Sequence, residues 1–306
     1  MIRRVCVAGS GVIGSLFAGH LAQVCEVSVL ARREEHAQAL NADGLRVTGR
    51  SELHGRITAA TEPAELPEPD LVLVCCKGTD VEAIGGALEG HFPGATVMTT
   101  QNGLGADEIV GRHGEWPLLT SVTFMSGTRD SDTSVEYILD TATWIGPSRE
   151  TTGDDARAVA ELIRSAGLKA EGFDDLRPMQ WSKLIFNATV NAVAALTGLP
   201  HEPRFAALDD PGDLGHLVLG LMDEGKAVAA AAGVELAEDP WEMNIHATRR
   251  GSRHSPSMLE DVEAHRRTEI DLITGALILE GERYGVETPL HTTLYRLVKA
   301  KEASWS

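Results

Sequence analysis

The chain has 306 residues, and 45 acidic side chains against 27 basic ones give it a formal net charge of −18. Such an excess repels phosphate-bearing surfaces, which excludes broad nucleic-acid or anionic-membrane binding; any anionic ligand has to meet positive charge gathered locally. At 43% hydrophobic and 24% charged residues the composition excludes a disordered chain and suits one large domain or, better, two.

Ile2 to Ala8 is a short apolar run that reaches Gly9-Ser10-Gly11-Val12-Ile13-Gly14, after which Leu16, Phe17, His20, Leu21 and Val24 recur at helical spacing. The segment reads as strand, tight turn and helix. Glu26 to Leu30 alternates as a second strand, Arg33 to Leu40 reads as a helix, and Asp70 to Cys76 is a nearly continuous apolar strand of the kind buried on both faces. Ala95 to Thr100 continues the alternation of strand and helix, which predicts a mostly parallel sheet with right-handed crossovers. Further short strands are expected near 117–124, 134–138 and 142–145.

Beyond about residue 174 the pattern changes to helical periods broken by proline and glycine. Helices are expected over Trp181 to Leu196, Leu214 to Ala232, Ser257 to Tyr284 and Thr292 to Glu302. The expected architecture is therefore α/β, with an N-terminal Rossmann-type dinucleotide-binding domain over 1–173 and an all-helical C-terminal domain over 174–306. No apolar run approaches the ~20 residues that cross a bilayer, and residues 3–14 do not read as a signal peptide, so a cytoplasmic location is expected. Cys6, Cys75 and Cys76 lie in strand-like runs and Cys25 ends a helix. With no zinc-ligand spacing among them, and no HExxH pair among the 11 histidines, they read as small core residues and no metal is expected.

The glycine pattern gains its meaning from its setting between a strand and a helix. There the first glycine permits the tight turn, the second lets backbone approach a pyrophosphate, and the third allows close packing, while the helix N-terminus supplies an anion site. Gly9, Ser10, Gly11, Val12, Ile13 and Gly14 are thus candidate cofactor ligands. About 20 residues beyond the first glycine an acid would mark a ribose 2′-hydroxyl reader. The sequence instead offers Arg32 and Arg33, whose guanidiniums suit a 2′-phosphate and favour NADP over NAD, unless they merely solvate a helix start. Lys77 and Gln101-Asn102-Gly103 follow two other strands, where ligands of open α/β sheets bind; a solvated lysine and a plain Asn-Gly turn are the alternatives.

In the second domain, Lys183, Asn187 and Asn191 recur at steps of four among Leu184, Ile185, Phe186 and Val190. Each step rises one turn and ~6 Å on nearly one face. Buried amines and carboxamides need partners, so this stripe is expected to line a cavity rather than a solvated face. Ser255 is expected as an N-cap with Pro256 as first helical residue, an end that suits a substrate carboxylate, with Ser257 beside it either capping or binding. On a continuous helix Glu269 would lie about 120° around the axis from Ser257, so the two meet one small ligand only if the helix bends or the ligand spans the gap. A surface ion pair with a nearby arginine is the other reading of Glu269.

As an ordered set these residues resemble the ketopantoate reductase (2-dehydropantoate 2-reductase) family over almost the whole chain. The matching features are Gly9-Gly11-Gly14, Arg32, Lys77, Gln101-Asn102-Gly103-Leu104-Gly105, Trp181-x-Lys183 with Asn187 and Asn191, Ser257-Met258-Leu259-x-Asp261-Val262, and Thr268-Glu269-Ile270-Asp271. The resemblance implies reduction of a 2-oxo acid by NADPH, 2-dehydropantoate to pantoate in pantothenate biosynthesis, with Lys183 as general acid. It implies Asn102, Asn187, Asn191, Ser257 and Glu269 around the substrate, and the glycine turn, Arg32, Lys77 and Asn102 at the cofactor. The substrate is expected in a cleft between the domains, Glu269 orienting Lys183 or a substrate hydroxyl, with Ser257 and Asn102 on the carboxylate side. Family members commonly carry Pro where this chain has Ala192, glycine at His265 and histidine at Tyr137; these departures bear on the choice of oxo acid. The expected partner is that small molecule alone, with no nucleic acid or membrane, in a monomer or homodimer. The alternatives are a 2-hydroxyacid dehydrogenase acting on another oxo acid and a non-catalytic NADP-binding sensor.

Overall fold

In the computed structural model, residues 2–206, 211–249 and 255–305 are described. The chain divides into two compact units, one of Met1–Gln101 with Ala106–Leu176 and one of Asn102–Gly105 with Arg177–Ser306. The sequence shows no sign of the excursion at Asn102–Gly105, four residues that fold with a helical unit beginning 72 positions later.

The first unit starts with β1 (Arg4–Ala8), α1 (Val12–Leu21), β2 (Glu26–Leu30), α2 (Glu34–Asp43), β3 (Leu45–Gly49), β4 (Leu53–Gly55) and β5 (Thr58–Ala60). It continues with β6 (Leu71–Val74), α3 (Val81–Leu88), β7 (Thr96–Thr99), α4 (Ala106–Gly111) and β8 (Leu118–Thr123). Last come β9 (Ser126–Ser131), β10 (Ser134–Leu139), β11 (Thr143–Pro147), α5 (Gly153–Ser165) and β12 (Ala170–Gly172). The main sheet has eight strands in the order β12-β11-β8-β7-β6-β1-β2-β5. Its central pairings are parallel, as expected, and only the β8 to β11 pairing is antiparallel. All four residues of β6 are buried, which explains its uninterrupted apolar sequence.

From β1 the chain runs outward through β2 and β5, then crosses back to place β6 on the other side of β1. That reversal opens a crevice at the carboxyl ends of β1 and β6, the place where open α/β sheets take ligands. A second sheet, β4-β3-β10-β9, had no counterpart in the sequence reading beyond the strand near 134–138. Its outer strand β9 (Ser-Gly-Thr-Arg-Asp-Ser) is polar and mostly half-exposed, so it shows no alternation of apolar residues. Leu16, Phe17, Leu21, Val47 and Val135 join the two sheets and α1 in one core.

The second unit comprises α6 (Arg177–Thr197), α7 (Gly212–Ala231), α8 (Pro240–Arg249), α9 (Ser257–Glu263), α10 (Ala276–Tyr284) and α11 (Pro289–Ala303). Helix α6 is its axis, with α7, α8, α9 and α11 packed around it. Leu184, Ile185, Ala188, Ala192 and Val193 form its contribution to the core. No helix among the described residues is long and apolar enough to cross a membrane.

Two expectations are corrected here. The helix foreseen from Ser257 to Tyr284 is broken after Glu263: His265 takes φ +51, and a π-helical turn at Asp271–Gly275 leads into α10. The straight-helix angle between Ser257 and Glu269 therefore does not apply. The start of α9 is also one residue later than foreseen, with Pro256 in extended backbone (φ −56, ψ 139) as N-cap and Ser257 first in the helix. At His265 the left-handed backbone suits the glycine that the family resemblance implies there, since a side chain in that conformation costs about 1–2 kcal/mol. The histidine ring stacks on Trp305 at 5.4 Å.

Candidate active site

In the first unit the three glycines of the turn stand in different surroundings. Gly9 has φ +101, and a Cβ there would stand 2.4 Å from the backbone nitrogen of Cys76, where the ends of β1 and β6 meet. A Cβ on Gly14 would fall 2.0 Å from the Gly9 carbonyl oxygen. Gly11, at the N-cap of α1 with φ −70, has no atom of the chain within 4 Å of the place a Cβ would occupy. Neither strain nor packing asks for glycine at that position, and the space beside it is open. The first turn of α1 holds no acidic residue, which leaves its unsatisfied amides and positive dipole end open to an anion.

Beyond β2, Arg32 projects into solvent with 85% of its side chain exposed and a loose 3.9 Å contact to Asp80. Arg33 does not share that freedom. Its Nη2 donates to both carboxylate oxygens of Asp132, at 2.8 and 2.9 Å, so of the two arginines foreseen for a 2′-phosphate only Arg32 extends without such a clamp. Lys77 is exposed and caps the short 3₁₀ turn after β6. Gln101 is buried, and its Nε2 donates to the carbonyls of Val74 (2.9 Å) and Cys76 (2.8 Å), fixing the carboxyl end of β6. Sequence reasoning noted Gln101 only as part of a turn; this stapling role has no local signal.

In the second unit, Lys183, Asn187 and Asn191 are all buried on α6, at 8%, 9% and 6% exposure. The Lys183 Nζ donates to Asn102 Oδ1 at 2.9 Å, and Asn102 Nδ2 donates to Glu269 Oε2 at 3.1 Å. A chain of ammonium, carboxamide and carboxylate thus joins three distant segments. The loop that carries Asn102 is latched by its backbone: Leu104 N donates to the Leu272 carbonyl at 3.0 Å. Gly103, at φ +97, lies so close that a Cβ would come within 1.8 Å of the same oxygen. That oxygen belongs to the π-helical turn, whose altered hydrogen-bond register is common at functional sites. Burial pushes the Lys183 ammonium down from 10.5 to about 8, and the Glu269 carboxylate opposes that shift.

Three of the residues foreseen for the substrate side, Asn102, Lys183 and Glu269, are therefore directly connected. Asn187 and Asn191 lie on the next two turns of α6, and Ser257 is exposed in the first turn of α9, which packs on α6. Two departures are relocated by the structure. Tyr137 is 3% exposed in β10, with its hydroxyl donating to Asp140 at 2.9 Å and its ring against His20, so it belongs to the core of the first unit rather than to a substrate face. Ala192 is fully buried, and α6 runs through it without interruption.

Known proteins match this arrangement along its whole length. The profile of the family described as "Ketopantoate reductase PanE/ApbA" matches residues 5–150, and that of its C-terminal part matches residues 175–302. A 2-dehydropantoate 2-reductase of Archaeoglobus fulgidus is 29% identical over 303 residues, covering 99% of both chains. One from Streptococcus pyogenes serotype M3 is 30% identical over 308 residues, covering 98% of both. Among solved structures, a PanE/ApbA family ketopantoate reductase from Ralstonia eutropha JMP134 superposes with a TM-score of 0.87 at 28% identity over 99% of both chains. A D-mandelate dehydrogenase in complex with NADH gives 0.83 at 25% identity, covering 99% of this chain and 100% of the other. With both parts matched in order, the chain belongs to the ketopantoate reductase family, oxidoreductases of Rossmann-type fold that reduce a 2-oxo acid.

Proposed function

We propose that this protein reduces 2-dehydropantoate to pantoate with NADPH, with Lys183 as the proton donor. The observation that carries the reading is the ammonium of Lys183, buried in an apolar helix and hydrogen-bonded to a carboxamide that a carboxylate holds from its other end. A charge so costly to bury is retained where it meets charge that develops during reaction. NADPH suits the first unit on three counts: the open face at Gly11, the acid-free start of α1, and the extended guanidinium of Arg32. Lys77, exposed at the end of β6, is a further cation for phosphate or ribose. A nicotinamide dinucleotide is also what the related D-mandelate dehydrogenase holds, as NADH.

When bound, the nicotinamide supplies a hydride to the carbonyl carbon. Lys183 stabilises the negative charge that then gathers on the carbonyl oxygen and delivers a proton to it. With a pKa of about 8 the amine is mostly protonated at neutral pH yet gives its proton up far more readily than an ordinary lysine. Asn102 fixes the position of Nζ. Because its carboxamide is engaged at both ends, it serves the lysine in place of the substrate carboxylate, and Glu269 fixes Asn102 in turn. Asn187 and Asn191 present carboxamides along the same helix for the substrate's oxygens, and the Ser257 hydroxyl is available to its carboxylate.

The test is NADPH consumption by the purified protein over a panel of 2-oxo acids that includes 2-dehydropantoate, pyruvate, 2-oxoisovalerate and phenylglyoxylate. The highest kcat/KM is expected for 2-dehydropantoate. A higher value for an aromatic oxo acid would transfer the assignment to a 2-hydroxyacid dehydrogenase. Tight NADPH binding without turnover of any acid would leave a sensor.

A further inference from the structure

The β9–β10 hairpin lies outside the eight-stranded sheet, yet its strand β9 reaches the glycine turn and its tip, at Asp132, reaches the start of α2. The approach is close: a Cβ on Gly127 would stand 3.2 Å from Val12 Cγ1 at the head of α1 and 2.3 Å from the Glu136 carbonyl oxygen. From β9, Arg129 Nη1 donates to the Ser10 carbonyl at 3.3 Å, and Arg129 Nη2 donates to the carboxylate of Asp132. The Asp132 carboxylate also takes both hydrogen bonds from Arg33 Nη2, and its backbone carbonyl accepts from Nε2 of the buried His36 at 2.9 Å. With Nε2 as donor, His36 Nδ1 accepts from the Ser10 hydroxyl at 3.3 Å, which closes the circuit at the glycine turn. Burial and the charge of Arg129 keep His36 below its ordinary pKa, so the ring adds no charge near neutrality.

The ion pairs of this patch join Arg32 to Asp80 and both Arg33 and Arg129 to Asp132, with Glu34 and Glu35 following in the first turn of α2. Arg32 and Arg33 are the residues at the end of β2 where a Rossmann-type fold distinguishes a ribose 2′-hydroxyl from a 2′-phosphate. Their side chains meet different fates: one extends past a distant carboxylate, and the other is clamped by two hydrogen bonds to a carboxylate that it shares with Arg129.

We propose that Asp132 is a specificity-determining residue for the adenosine end of the cofactor, holding Arg33 away from a ribose 2′-phosphate and setting a negative charge beside it, so that Arg32 alone reads that phosphate. This rests on the NADPH reading given above. Asp132 then moderates the preference for NADPH over NADH, and the fold carries a second guanidinium that becomes a phosphate ligand once the clamp is removed. A clamped guanidinium offers the phosphate less than a free one, because part of its charge is compensated and its Nη2 is committed to Asp132.

The test measures dissociation constants of NADPH and NADH for the full chain by fluorescence titration, without substrate. In Arg32→Ala the ratio favouring NADPH should fall about tenfold, the worth of one charge-assisted contact near the surface. In Arg33→Ala it should change less than about twofold. In Asp132→Asn it should rise about fivefold to tenfold through the released guanidinium, and the double variant Asp132→Asn/Arg33→Ala should lose that rise. A thermal melt of each variant checks folding, and the Arg33→Ala arm stands by itself if Asp132→Asn is unstable. The proposal is overturned if Arg33→Ala costs as much as Arg32→Ala, or if the ratio in folded Asp132→Asn is unchanged or lower. If Arg32→Ala leaves the ratio untouched, the NADPH reading falls and this inference with it. If Arg32→Ala lowers the ratio and Asp132→Asn does not raise it, the inference alone falls.

Discussion

The glycine turn after β1 and the polar chain through Lys183, Asn102 and Glu269 handle charge in opposite ways. In the proposed reading the turn is an anion site made by leaving side chains out, its positive character coming from backbone amides at the head of α1. The polar chain is made by putting side chains in, with a buried ammonium stabilised by groups 81 positions away in sequence, which are themselves held by a carboxylate 167 positions further on. One site follows from the local course of a dozen residues. The other exists only when the helical unit has folded around the loop of Asn102–Gly105. Damage to the first should therefore appear in cofactor affinity, and damage to the second in turnover.

The largest expected effect is that of Lys183→Ala, which should lower kcat by about a thousandfold, within the range of a lost general acid, while leaving NADPH affinity within about twofold. The same lysine sets a pH dependence. With its pKa lowered to about 8, kcat/KM for oxo-acid reduction should decline as pH rises through that value, because the protonated form is the donor in the proposed mechanism. The residual activity of Lys183→Ala should lack that limb. Linkage adds a check on sign: between about pH 8 and 10.5 the unfolded chain binds the proton more tightly than the folded one, so this group's contribution to stability rises with pH across that window. Turnover in Lys183→Ala close to that of the unaltered protein would end the assignment.

Gly103→Ala is expected to come next. A methyl group at that position collides with the Leu272 carbonyl at 1.8 Å, so the loop must lift off the π-helical turn and carry Asn102 away from Lys183 and Glu269. A displacement of about 1 Å at a reacting group can cost a hundredfold, and kcat should fall by about that factor with NADPH binding little changed. A loss of cofactor binding equal to the loss in turnover would show that the loop serves the dinucleotide instead.

The contrast also explains what was legible beforehand. The parallel sheet, the turn and α6 announce themselves by local periodicity and spacing: an uninterrupted apolar β6, glycines at positions 9, 11 and 14, and polar residues every fourth position on a buried helix. Lys183 was legible as a candidate because a buried amine advertises an unmet need for partners, Asn102 because it follows a strand of an open α/β sheet, and Glu269 only through the family resemblance. Their connection was not, since it depends on a backbone latch between Leu104 and Leu272 that any residue types can make. Strand β9 was missed for a related reason, although its partner β10 was foreseen. The missed strand is polar on both faces, and the value of Arg129 and Asp132 lies in partners, Ser10, Arg33 and His36, that sit 96 to 119 positions away.

The smallest expected effect is the sharpest probe of the backbone-built site. Gly11 has ordinary backbone angles and empty space beside its Cα, so Gly11→Ala should leave the melting temperature unchanged or slightly raised, alanine being the less flexible residue in the unfolded chain. The added methyl group nevertheless occupies the approach to the first amides of α1. Affinity for NADPH and for NADH should fall together, each by about tenfold, since the pyrophosphate common to both loses a good contact with those amides. Turnover at saturating cofactor should be preserved. Gly14→Ala provides the contrast within the same turn: its methyl group meets the Gly9 carbonyl oxygen at 2.0 Å, so it should lower the melting temperature as well as the affinity. If Gly11→Ala binds both dinucleotides as well as the unaltered protein, the space beside that residue is not where the cofactor lies, and the functional reading of the glycine turn is lost even though its structural reading stands.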